Sequence, residues 1–192
     1  KVNMTVKWDG APAIICGINP ENGKFFVGTK AVFNKTPKIN YTPADISKNH
    51  SGGLASKLNI ALKELKKLNI SGVLQGDFLF SQSDLKTANI DGDKMITFTP
   101  NTITYAVPTN SNIGKRIRRA RMGIVFHTSY SGKTMKSLKA GFGTVSGRSG
   151  ISSVFLADAA YRDVSGSAKL TKSELSSFDA RIRMAEGSLL KA

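Results

Sequence analysis

The sequence contains one cysteine, two histidines and 13 acidic side chains, against 28 lysines and arginines. A lone Cys16 allows no intramolecular disulfide, which fits a reducing compartment such as the cytoplasm. Cys16, His50 and His127 are too few to supply a structural zinc site, and nothing in their spacing suggests a serine hydrolase. No apolar run reaches the roughly 18 residues that a membrane-spanning helix requires. Lys1 stands first, and a strand-like run follows at once. The chain is therefore expected to begin inside a longer or processed protein.

What is present is a substantial core and a large positive charge. The 192 residues are 40% apolar and 8% aromatic, enough for one domain or one domain with an appendage. The formal charge of +15 makes polyanions the natural partners, with nucleic acid, DNA or RNA, ahead of an acidic membrane.

Residues 3–8 and 13–18 are expected to form two strands around the turn Asp9-Gly10-Ala11-Pro12, with a third strand from Phe25 to Thr29. The polar stretch 34–53 suggests a long exposed loop. Leu54, Leu58, Leu62, Leu65 and Leu68 recur at helical spacing and predict an amphipathic helix lying on a sheet. Residues 71–80 form an apolar strand interrupted by Gly76-Asp77, and 95–108 two short strands or an edge around Pro100. A short helix is expected over 112–121 and a buried strand over 123–130. Glycine and serine then predict a loop or linker through 131–150, followed by a strand at 152–158. Thr171 and Glu174 form a capping box before Leu175, Phe178, Ile182, Ala185 and Leu189, so a last helix is expected to pack on its own domain or a partner. The expected class is α+β, mostly antiparallel sheets with packed helices. A division into 1–130 and an unassigned 131–192 follows the change in composition.

Lys7-Trp8-Asp9-Gly10 concentrates the chemistry. Lysine is a nucleophile only as the neutral amine, which calls for burial or nearby positive charge. Val6 and Trp8 are expected to supply partial desolvation, Asp9 to share a face with Lys7, and Gly10 to keep side chains out of the turn. This stretch resembles the KxDG nucleophile motif of the covalent nucleotidyltransferases, the ATP-dependent DNA ligases, RNA ligases and mRNA-capping enzymes. Three further partial matches follow in the family's order: Lys30 in "FFVGTK", Gly76-Asp77 in "VLQGDFLF", and Gly123-Ile124-Val125 in "RMGIVFH". The resemblance covers residues 5–127. Asp77 stands in place of glutamate, Met122 in place of a metal-binding glutamate, and the family's fifth motif of paired lysines has no match.

The resemblance implies a ligase-type, ATP-grasp-like nucleotidyltransferase core using ATP and Mg²⁺. Lys7 would form a lysyl-AMP intermediate, with Asp9, Gly10 and Lys30 at the nucleotide. Asp77 would bind ribose or metal. AMP would pass to a 5′-phosphate end, and a 3′-hydroxyl would then seal the strand. The competing expectation is a basic nucleic-acid-binding or viral structural protein that keeps the scaffold without the reaction. A virus-encoded protein, in host cytoplasm or virion, suits either.

Two other segments invite chemistry. Lys115, Arg116, Arg118, Arg119 and Arg121 place five cations in seven positions and are candidates for phosphate contacts without sequence readout. "HTSYSGKT" at 127–134 approximates a phosphate loop, but His127 occupies its first glycine position. Trp8 and Tyr105 are candidates for base stacking, or else core residues.

Overall fold

The computed structural model describes residues 6–142, 150–157, 159 and 170–189. The chain divides into two compact units, Lys1–Tyr161 and Arg162–Ala192. The first unit is built on a six-stranded sheet. Its strands are β1 (Ala13–Ile18), β2 (Phe25–Gly28), β3 (Val73–Ser81), β7 (Met122–Ser131), β8 (Lys139–Phe142) and β9 (Val154–Ala157). The order β2-β1-β3-β7-β8 is antiparallel throughout. β8 pairs with Thr128–Ser131 of β7, while β9 runs parallel to Met122–Val125.

The central strands are apolar on both sides because both faces of the sheet are covered. On one face Ile14, Cys16, Leu74, Phe78, Ile124 and Phe126 meet Leu58, Ala61, Leu62 and Leu65 of α2 (Gly52–Leu65) and Ile46 of α1 (Pro43–Asn49). On the other face Leu79, Phe80 and Val125 pack against Ile96 and Phe98 of β5 (Asp93–Phe98) and Ile117 of α3 (Asn112–Arg119). β5 is the centre of a small meander with β4 (Lys86–Ile90) and β6 (Tyr105–Pro108). Full burial of a side chain such as Phe78 or Phe80 contributes about 1.5–3 kcal/mol.

The α+β class with antiparallel sheets agrees with the expectation from pattern, and several local differences have clear causes. Residues 6–8 are not in a strand, and 3–5 lie outside the described residues. The supposed loop 34–53 contains α1. Thr42 and Asp45 cap its N-terminus reciprocally and Pro43 opens it, a signal that its polar composition obscured. Gly76-Asp77 does not interrupt β3. The β3–β7 register shifts instead between Gln75 and Gly76 and between Phe78 and Phe80, and Gly76 lets the Val125 carbonyl approach where a Cβ would collide. β4 and β8 were not expected: β4 is mostly exposed and β8 is Gly/Lys-rich, so neither carries a strong apolar alternation. The first compact unit takes in β8 and β9, so the main sheet extends past residue 130.

The second unit contains α4 (Lys172–Leu189). Thr171 and Glu174 cap it as the sequence suggests, the Thr171 N–H donating to Glu174 Oε2 at 2.7 Å. Within this unit, Leu175, Phe178 and Ile182 of its apolar stripe are about half exposed.

Candidate functional site

Strand periodicity and the β3–β7 register define a cleft on the sheet face opposite α2. Along β3, Leu74 and Phe78 point into the helix-side core, and Gln75 and Asp77 alternate to the other face. Asp77 lies opposite Val125 in the register, and His127 follows Val125 by two residues on the same side of β7. Lys30 enters from the 3-10 turn after β2, where the Ala31 N–H donates to the Thr29 hydroxyl oxygen at 3.2 Å. Lys7 enters from the extended segment before β1. These residues, with Trp8 and Tyr130, line one cleft of about 490 Å³.

The Lys7 segment is held along its length. The Val6 N–H donates to the Ala159 carbonyl at 2.9 Å, Ala11 N–H to the Phe78 carbonyl at 3.0 Å, and Phe78 N–H to the Pro12 carbonyl at 3.0 Å. Lys57 of α2 reaches the Ala11 carbonyl at 3.2 Å, with its ammonium 5.3 Å from the centre of the Phe78 ring. Gly10 is required by proximity: a Cβ there would lie 2.5 Å from the Asp77 Cβ. Two motifs 67 residues apart in the chain (10 and 77) are thus in direct contact.

Asp77 is the half-buried acid of this cleft. Burial pushes its carboxyl above the usual range, and His127, Lys7 and Lys30 act in the opposite direction. His127 Nε2 is 3.6 Å from Asp77 Oδ1, and the other ring nitrogen, Nδ1, is 2.8 Å from the Thr128 hydroxyl. Further along the wall the Tyr130 hydroxyl donates to Gln75 Oε1 at 2.6 Å, and burial raises the Tyr130 phenol. The cleft therefore offers two exposed lysine cations, one acid, an imidazole and an aromatic wall. That combination suits an anionic ligand carrying hydroxyl groups and a flat ring.

Asp9 is not part of this lining. Its carboxylate accepts from Asn101 Nδ2, the Thr102 N–H and hydroxyl, and the Ile103 N–H, at 2.7–2.8 Å. These four donors, led by the Thr102 hydroxyl, hold its carboxyl far below the usual range. The Asp9 N–H donates to the Tyr105 oxygen at 2.7 Å. Asp9 thus ties the lysine segment to the loop between β5 and β6. The desolvation expected around Lys7 is also absent: Lys7 and Val6 are both exposed. Met122 is fully buried in the helix-side core, so the position where the resemblance calls for an acid faces away from the cleft.

The five cations at 115–121 lie outside the cleft lining, on or just after α3. Arg118 donates to the Thr109 carbonyl at 2.8 Å, Arg121 to Gln82 Oε1 at 2.7 Å, and Arg116 lies 5.4 Å from the centre of the Phe155 ring. Lys115 and Arg119 are exposed, and their side chains have no hydrogen-bond or ion-pair partner among the described residues. Residues 127–131 continue β7, and Lys133 precedes a 3-10 turn at Met135–Ser137. The strand–loop–helix geometry of a phosphate loop is therefore missing. Tyr105 stacks on Phe98 at 5.4 Å and meets Trp8 at 5.1 Å, an aromatic chain leading from the core to the cleft. His127 is the residue that sequence reasoning missed. Its signal was the two-residue step from Val125, which acquires meaning only when β7 is paired with β3.

These features define a basic α+β domain whose cleft gathers lysines, an acid and a histidine from remote segments. The chain belongs to the family of unknown function DUF6267, whose model matches residues 1–192. No curated protein and no solved structure matches it.

Proposed function

We propose that this domain is an ATP-dependent nucleotidyltransferase of the polynucleotide-ligase type, with Lys7 as nucleophile. The observation that carries this reading is the convergence of Lys7, Lys30 and Asp77 on one cleft. Those are three of the residues that the resemblance to covalent nucleotidyltransferases singles out.

In this reading the neutral Lys7 amine attacks the α-phosphorus of ATP. A P–N bond forms, the P–O bond to pyrophosphate breaks with its electron pair leaving on pyrophosphate, and the proton shed by the nitrogen passes to the departing pyrophosphate or to water. Lys30 offsets charge on the phosphates. Asp77, backed by His127, accepts a hydrogen bond from a ribose hydroxyl. Trp8 and Tyr130 offer aromatic surface to the base. The described residues hold no cluster of three or more metal-ligating side chains, and Asp77 is surrounded by cationic groups. Magnesium is therefore assigned to the triphosphate it arrives with, a mode that needs few protein ligands. The AMP then passes to a 5′-phosphate end of DNA or RNA, drawn to the protein by its charge of +15.

Incubation with ATP labelled at the α-phosphate and Mg²⁺ tests the reading. The expected result is an acid-labile label on the protein that disappears in Lys7→Ala. Absence of label on the wild-type protein overturns the enzymatic reading. A second reading, a non-catalytic nucleic-acid-binding protein, is favoured by the exposure of Lys7 and by the two unengaged cations on α3. It predicts polynucleotide binding with no label.

A further inference from the structure

A second cavity, of about 380 Å³, adjoins the cleft and shares Tyr130 and Ala140 with it. Its walls are mostly apolar, with Val32, Phe33, Pro37, Met135 and Leu138 beside the polar Asn34. Phe33 is 40% exposed, so part of its ring is open to solvent at the mouth of this cavity. Its ring lies 5.1 Å from that of Tyr130, at 41°. Tyr130 is held in turn by its hydrogen bond to Gln75, so one side of this aromatic pair is fixed and the other is open. The volume falls within the range of about 300–1,000 Å³ typical of small-molecule sites.

The surroundings are strongly cationic. The two segments that wall the cavity, 30–38 and 130–140, carry Lys30, Lys35, Lys38, Lys133, Lys136 and Lys139, all exposed, and no acid. Lys136 lines the cavity itself. Lys38 is engaged by the Asn49 carbonyl at 3.3 Å. Glu21 touches the wall from outside, its carboxylate accepting the Met135 N–H at 3.1 Å, and offsets part of this charge. An apolar pocket with an exposed aromatic ring, set in lysine-rich segments, is the kind of arrangement that binds unpaired bases while tracking their phosphates.

We propose that this cavity is a stacking site for an unpaired nucleobase of a single-stranded polynucleotide. Phe33 provides the open ring face, and Lys136 and Lys35 contact the flanking phosphates. The inference rests on the nucleotidyl-transfer reading for its purpose, which is to hold the strand beside the cleft where its end is to react. Tyr130, common to both cavities, is the partition between the nucleotide and the strand.

The test is binding of fluorescently labelled oligodeoxythymidine, oligouridine and a blunt duplex to the full chain, followed by anisotropy at several salt concentrations. Phe33→Ala is expected to weaken both single strands about five- to hundredfold and to leave the duplex unchanged. Phe33→Tyr is expected to retain wild-type affinity, and Lys136→Gln to lower the magnitude of the salt slope by about 0.7, one phosphate contact. Thermal melts of each variant verify folding, which the exposure of Phe33 favours. Wild-type affinity for single strands in folded Phe33→Ala overturns the inference, as does an equal loss for single strands and duplex. Labelling with α-phosphate-labelled ATP runs in parallel. A Phe33-dependent affinity without label sinks the enzymatic reading alone, and label with Phe33-independent affinity sinks the stacking site alone.

Discussion

Asp77 is subject to two opposed effects. Burial disfavours its charge, while His127, Lys7 and Lys30 favour it, and burial prevails. Its folded pKa is therefore raised above the unfolded value. The stability linked to this group is full at pH below the usual carboxylate range and declines as pH rises through the raised pKa. Asp77→Asn removes that decline. The variant is expected to be more stable than wild type toward urea at pH 7, with the difference shrinking toward pH 4, and to lose nucleotide binding. An Asp77→Asn protein less stable at pH 7 than at pH 4, relative to wild type, would show that the cations and not burial dominate. Such a position, costly to the fold when ionised, is where a ligand-binding acid is expected.

Among the elements, the loop between β5 and β6 has the most distinctive role. It spends four donors on Asp9, a residue of another segment, and so couples the small meander to the lysine-bearing stretch over the large sheet. The folded pKa of Asp9 is depressed, so its contribution is complete above the usual carboxylate range and is lost as pH falls toward the lowered value. Asp9→Asn is expected to lower the melting temperature most at neutral pH and progressively less down to pH 3. A pH-independent difference would mean that shape, not charge, holds the loop. The same variant is expected to reduce Lys7 labelling, because the segment that carries the lysine loses its anchor. Lys57 reinforces that anchor from the opposite side, through the Ala11 carbonyl.

For the whole molecule the governing quantity is a charge of +15, and it is distributed unevenly along the chain. Acidic residues are absent between Glu21 and Asp45 and between Asp93 and Asp158, the spans that supply Lys30, α3 and β7 with the turn after it. Polyanion affinity should consequently fall steeply with salt. Lys115 and Arg119 are the cations of α3 left without a structural task among the described residues, and the double variant Lys115→Gln, Arg119→Gln is expected to reduce the slope by about 0.9 per lost contact on duplex DNA. Binding that does not weaken between low and physiological salt, or an unchanged slope in that variant, would remove α3 from the interface. Substituting Arg118 instead is expected to cost stability as well, since it satisfies the Thr109 carbonyl.

Pattern in the chain determined the strongly periodic elements. Residues 13–18, the leucine helix from 54, the strand at 123–130 and the capped helix from 171 each carry their own apolar repeat or cap, which is local information. It also determined the surface charge, and the positions of Lys7, Lys30 and Asp77 as chemically interesting residues. Tertiary structure alone decided which of those residues meet. Asp9 and Lys7 are two positions apart, yet one serves a loop and the other a cleft, because residues 6–10 are not a strand and side-chain alternation does not apply to them. His127 and Met122 lie on one strand, yet the first faces the cleft and the second the helix-side core. Their directions follow from the β3–β7 pairing and its two register shifts, which depend on contacts between residues some 50 positions apart (Asp77 with Val125) and leave no mark in either segment alone.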